Sequence, residues 1–165
     1  MSKLLLTLTL VLAISSTPIM VKAAEIEGAE VLKFGIFKSE VVRSEAAAGA
    51  AAGSKGIVRN AVLVTQTTRI PARTGTQFGF QYAVKGSPVD AKIRVTNKYL
   101  HPLVQNPQTK KSFTSQTTRA TQKIGKAVFV GYTFDHDWEL VPGEWTIQVY
   151  SRGKKLAEKS FQVVK

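Results

Sequence analysis

The sequence predicts an all-β sandwich, and three observations carry that prediction. Apolar–polar alternations recur along the chain, each bounded by Gly, Pro, Asn or Asp turn signals. No segment holds a helical period. The chain has 165 residues, of which 44% are hydrophobic and 21% charged, so it suits one domain with a real core and neither disorder nor a bundle of membrane spans.

The first element is a leader. Lys3 supplies a short positive region, and Leu4 to Ile14 is an apolar run far shorter than the roughly 20 residues a bilayer needs. Val21-Lys22-Ala23 fits a small-residue cleavage site. Residues 1–23 are therefore expected to be a signal peptide, and residues 24–165 a single periplasmic or secreted β-sandwich domain. No stop-transfer pattern follows, so no transmembrane segment is expected in the mature chain.

Val31 to Val42 opens the domain as a strand, with Leu32, Phe34 and Ile36 in one parity. Residues 43–56, RSEAAAGAAAGSKG, are Ala/Gly-rich and poor in bulky side chains, and are expected to be a flexible insertion. Ile57 to Ile70 is a long Val/Thr-rich strand that Pro71 ends. Phe78, Phe80, Tyr82 and Val84 alternate with Gly79, Gln81 and Ala83, which makes the clearest strand of the chain.

Lys92 to Tyr99 alternates again, with Ile93, Val95 and Tyr99 on one face and Lys92, Arg94, Thr96 and Lys98 on the other. His101 to Lys111 reads as a loop, and the polar run Ser112 to Ile124 suits an edge strand. Val128, Val130, Tyr132 and Phe134 share a parity. Trp145, Ile147 and Val149 face inward on the next strand, and Gly153 serves a hairpin turn before the closing strand Lys155 to Val164.

Three stretches carry a family resemblance: Ile70-Pro-Ala-Arg-Thr-Gly-Thr-Gln-Phe-Gly-Phe80, Leu100-His-Pro-Leu-Val-Gln-Asn-Pro107 and Trp138-Glu-Leu-Val-Pro-Gly-Glu-Trp145. They resemble a bacterial family of small exported immunoglobulin-like domains of unknown function. The resemblance implies an immunoglobulin-like antiparallel β-sandwich of seven or eight strands, and export. It implies no activity, because such a sandwich hosts many roles.

Composition narrows the chemistry. With no Cys, disulfides, thiolate metal sites and a Cys nucleophile are excluded. The core must then rest on Phe78, Phe80, Tyr82, Val130, Tyr132, Trp145, Ile147 and Val149. Asp135-His136-Asp137 is the one carboxylate–imidazole cluster and a weak candidate for holding a cation; a polar turn is the plainer reading. His101 precedes Pro102 and is expected to pack on an aromatic ring or bond its own loop. No nucleophile motif surrounds either His, so neither catalysis nor a cofactor is expected.

Charge says more. Removing residues 1–23 takes away Lys3 and Lys22 and no acid, which leaves 21 basic residues against 11 acidic ones. Such an excess favours an acidic protein or an anionic envelope polymer, and export argues against nucleic acid. Lys92, Arg94 and Lys98 share a strand face; Lys110 and Lys111 follow in the next loop; Arg119 and Lys123 belong to the next strand. Together these make an expected partner-binding stripe, with Trp138 as an exposed platform or a plug at the sandwich end. The expected function is that of an exported, non-enzymatic binding module. A loop-based cation or carbohydrate site around Asp135–Trp138, or strand addition at a sheet edge, is the alternative.

Overall fold

A computed structural model describes residues 23–165. The leader read at residues 1–23 lies, except for Ala23, outside them. Nine strands occur among the described residues: β1 (Glu25–Ala46), β2 (Ser54–Thr65), β3 (Arg69–Pro71), β4 (Gln77–Ser87), β5 (Lys92–Gln105), β6 (Ser112–Lys123), β7 (Ala127–Thr133), β8 (Gly143–Ser151) and β9 (Lys154–Val164). They form two sheets, ordered β2-β1-β4-β7 and β3-β9-β8-β5-β6. Every pairing is antiparallel except β3 with β9. One short 3-10 helix, Asp137–Glu139, precedes β8, and no helix among the described residues is long and apolar enough to cross a membrane.

The alternation seen in the sequence becomes the core. Phe78, Phe80 and Tyr82 of β4 are fully buried, and Trp145, Ile147 and Val149 of β8 meet them from the opposite sheet. Phe78 lies edge-on to Trp145 (6.0 Å between ring centroids) and to Phe161 (5.3 Å). Such edge-to-face contacts add to area burial, and here they link the sheets without a disulfide. Tyr132, expected inside, is half-buried and packs on the rim of this cluster.

The run Ile57 to Ile70 is not one strand. It breaks at Gln66–Thr68, where the chain leaves the first sheet and joins β9 of the second. The Thr67 hydroxyl accepts from the Arg69 N–H (3.0 Å), and the Thr68 carbonyl accepts from the Gln162 N–H (2.7 Å). Both halves are rich in β-branched residues, so the period alone carries no sign of the crossing. This break takes the strand count above the seven or eight expected.

Residues 43–56, read from composition as a loop, are paired strand at both ends. Arg43 to Ala46 ladders with Ser54 to Ile57, and only residues 47–53 turn. The turn is rich in small residues because it docks. A Cβ at Gly49 would fall 2.2 Å from the Thr117 carbonyl oxygen, and Ala51 is buried. Composition hides this because small side chains show no period, while their use lies in letting two backbones approach.

The β1–β2 hairpin is therefore an arm. The β1 ladder shifts register at Ile36/Phe37, next to Gly35 at φ 137°, whose absent Cβ leaves room for the Thr65 carbonyl. Gly35, Gly79 and Gly131 stand in register across β1, β4 and β7. Phe37 packs on Phe129 with the rings tilted by 46° (4.6 Å between centroids), and the Gln81 amide donates to the Ala61 carbonyl (2.9 Å). Gln81 and Phe129 have the outward parity of their strands, so the arm crosses the outer face of the first sheet. It then passes β7 and reaches β6 of the other sheet, where the Thr117 N–H donates to the Gly49 carbonyl (2.9 Å).

Candidate anion-binding cleft

The arm and the β5/β6 edge enclose an open cleft of about 1080 Å³. Six cationic side chains line it: Arg43 and Lys55 from the arm, Lys92 and Arg94 from β5, Arg119 from β6, and Arg152 from the β8–β9 turn. Glu45 is the one carboxylate among the described lining residues. It pairs with Arg43 (2.6 Å) and Lys55 (3.7 Å), and Lys55 also donates to the Arg119 carbonyl (2.6 Å). Among the described residues, Lys92, Arg94, Arg119 and Arg152 have no carboxylate within ion-pair distance.

Strand register sets this arrangement. Lys92 lies opposite Lys123, Arg94 opposite Thr121, and Thr96 opposite Arg119. A like-charged pair directly across an antiparallel ladder is destabilising. Asp90, 3.9 Å from Lys123 and 3.6 Å from Lys126, offsets part of it.

The structure brings together only part of the expected stripe. Lys92, Arg94 and Arg119 line the cleft. Lys98 shares their face, opposite Thr117 and Gln148, but lies beyond it. Lys123 turns towards Asp90. Lys110 and Lys111 follow the far end of β5, about 40 Å along the strand from Lys92. The His101–Lys111 stretch is itself strand up to Gln105, with a register shift between Leu100 and Val104 around Pro102. Sequence reading missed Arg43, Lys55 and Arg152, which the arm and a distant hairpin turn supply.

Trp138 sits on the 3-10 helix, half-buried against the core, and stacks on His136 (5.4 Å, 13° between planes). Asp137 accepts from the Thr74 hydroxyl (2.7 Å), while Asp135 and His136 are exposed. Among the described residues no group of three or more His, Cys, Asp or Glu could hold a metal ion. His136 and Asp137 are thus directed to different partners, Trp138 and Thr74.

A buried polar chain fixes the tip of the arm. The Ala51 N–H donates to Gln116 Oε1 (2.8 Å), and the Asn106 amide donates to the Ala51 carbonyl (3.0 Å). Gln116 Nε2 donates to Tyr132 Oη (3.1 Å) and meets His101 Nε2 (3.1 Å). Tyr132 donates to Glu139 Oε1 (2.5 Å), whose Oε2 accepts from the Asp135 and His136 N–H groups. Burial, and then the Glu139 charge, pushes the Tyr132 hydroxyl far above its usual pKa. The signal that could have found Gln116 was its parity, shared with Thr118, Ala120 and Gln122 and opposite to Arg119.

His101 does both things expected of it. Its ring stacks on Trp145 (4.7 Å), and its Nδ1–H donates to the Pro102 carbonyl (2.8 Å). That leaves Nε2 to accept from Gln116, so the neutral ring fits and the protonated one would set donor against donor. Burial lowers its pKa from 6.5, against a smaller upward pull from the Pro102 carbonyl. The unfolded chain then binds more protons than the folded one below 6.5, so stability falls as pH drops through that window. We expect the urea midpoint to fall on going from about pH 7 to pH 5, and His101→Gln to flatten that slope relative to the wild type. Equal slopes for the variant and the wild type would contradict this.

The comparisons with known proteins agree with the architecture. A crystal structure of an immunoglobulin-like protein from Pseudomonas aeruginosa is similar at a TM-score of 0.57 and 26% identity, over 88% of this chain and 99% of that one. No curated protein matches the chain. The sequence pattern of DUF3859, a domain of unknown function, matches residues 26–163, and the two sheets are those of an immunoglobulin-like sandwich. The chain belongs to the DUF3859 family.

Proposed function

We propose that this chain is an exported, non-enzymatic binding module that holds an anionic partner, a protein or an envelope polymer, in the cleft between the arm and the basic face of β5 and β6. The observation that carries this reading is the concentration of six cations around one carboxylate in a single cleft. The non-enzymatic part of the reading rests on the sequence, which surrounds neither histidine with a nucleophile motif. The leader motif supports export.

The test is a pull-down from envelope extract at low and high salt with two baits, the wild type and K92Q/R94Q/R119Q. The partner is expected to be lost on adding salt and lost from the variant, since exposed charge contacts are screened. The variant should fold as stably as the wild type or slightly better, because it removes like-charge repulsion. A partner held equally by both baits at both salts would overturn the reading and point to strand addition at a sheet edge.

A further inference from the structure

We infer that the cleft accepts a linear polymer of phosphate or sulfate groups, and that Glu45 is the resident anion which such a polymer displaces. This deepens the reading of the cleft as the binding surface and rests on it.

Three features favour this polymer over an acidic protein. Four of the six cations are arginines, whose planar forks bind tetrahedral oxyanions through paired N–H groups. Among the described residues no aromatic side chain lines the cleft, whereas protein interfaces concentrate their binding energy in buried Trp, Tyr and Arg anchors. The cations also form a grid. Lys92 and Arg94 are two residues apart on β5, about 7 Å, and Arg119, opposite Thr96 on the neighbouring strand, is the diagonal neighbour of Arg94 at about 7–8 Å. Such a grid suits negative groups repeated along a chain.

Glu45 marks where one of those groups goes. Its Oε1 takes both the Nε (2.9 Å) and the terminal nitrogen (2.6 Å) of Arg43, and its other oxygen faces Lys55 at 3.7 Å. Arg43 is largely exposed, and Glu45 is 36% exposed at its side chain, so the carboxylate is free to swing aside. A phosphate or sulfate arriving between Arg43 and Lys55 exchanges one anion for another at two cations that are already placed. The chain thereby carries a competitor for its own site on the arm.

The test measures binding of inorganic polyphosphate, of a heparin oligosaccharide and of polyglutamate to the full mature chain. The proteins are wild type, E45Q, E30Q and K92Q/R94Q/R119Q. Glu30 pairs with Lys85 on the first sheet (2.9 Å), so E30Q changes net charge by the same amount away from the cleft. Polyphosphate or heparin, whichever carries the preferred anion, should bind at least about tenfold tighter than polyglutamate. E45Q should tighten it a further fivefold or so, E30Q should leave it unchanged, and the triple variant should lose it. Equal gains from E45Q and E30Q would overturn the role of Glu45. Polyglutamate binding as well as the best polymer would overturn the ligand class. If neither polymer binds while the triple variant still loses its envelope partner, the inference fails and the cleft reading stands. Polymer binding that the triple variant keeps would sink both.

Discussion

Trp145→Ala is expected to lower the unfolding free energy by about 4 kcal/mol, read from the urea midpoint at constant slope. The indole is fully buried where the two sheets meet. It touches Tyr132 (5.0 Å), Phe134 (5.3 Å, edge-on) and Phe78, and its outer face carries the His101 ring. Its Nε1–H donates to the Val141 carbonyl (3.0 Å), which fixes the connection between the 3-10 helix and β8. Truncation leaves a cavity lined by rings that cannot collapse together, plus an orphaned carbonyl. A domain of this size holds only about 5–15 kcal/mol in all, so the loss is a large share. Trp145→Phe keeps most of the packing and should cost less than half as much. A loss below about 1 kcal/mol for the alanine variant would mean that the aromatic cluster is not the main tie between the sheets.

The second large effect is at Glu139. This carboxylate is 2% exposed and accepts three bonds, from the Asp135 and His136 N–H groups and from Tyr132 Oη. Glu139→Ala leaves all three donors unpaired, at a combined cost of about 3 kcal/mol or more. Glu139→Gln keeps one acceptor oxygen for the Asp135 and His136 N–H groups and turns its amide towards Tyr132 Oη, which loses its acceptor, and should cost about half of that. The urea midpoints of the two variants read the difference at constant slope. Equal losses for alanine and glutamine would show that the acceptor oxygens of Glu139 do not hold this end of the sandwich.

The layered core was legible because period-2 alternation is a local signal. Phe78, Phe80 and Tyr82, like Trp145, Ile147 and Val149, declare their buried side within a few residues. The basic face of β5 was legible for the same reason, since Lys92 and Arg94 follow from the parity of Ile93 and Val95. The cleft as a whole was not. Arg43, Lys55 and Arg152 reach it from an arm and a turn far away in sequence, and nothing local says that the arm folds back. Ala and Gly in residues 43–56 gave no period, because their contribution is space: the closest approach at Gly49 is to a backbone. Lys110 and Lys111 show the converse error. They are near Arg119 in sequence, yet a long β5 places them at its other end.

The arm has a further consequence for how the molecule keeps to itself. β6 and β7 are both terminal strands of their sheets, and an open rim between two terminal strands invites another chain to add a strand there. The Gly49 carbonyl occupies the Thr117 amide, and the Lys55 ammonium occupies the Arg119 carbonyl, so two of the groups a foreign strand would need on β6 are already engaged. The hairpin that shapes the cleft is thus also a chaperone for its own rim, discouraging polymerisation on that side while leaving the cationic wall open to ligand.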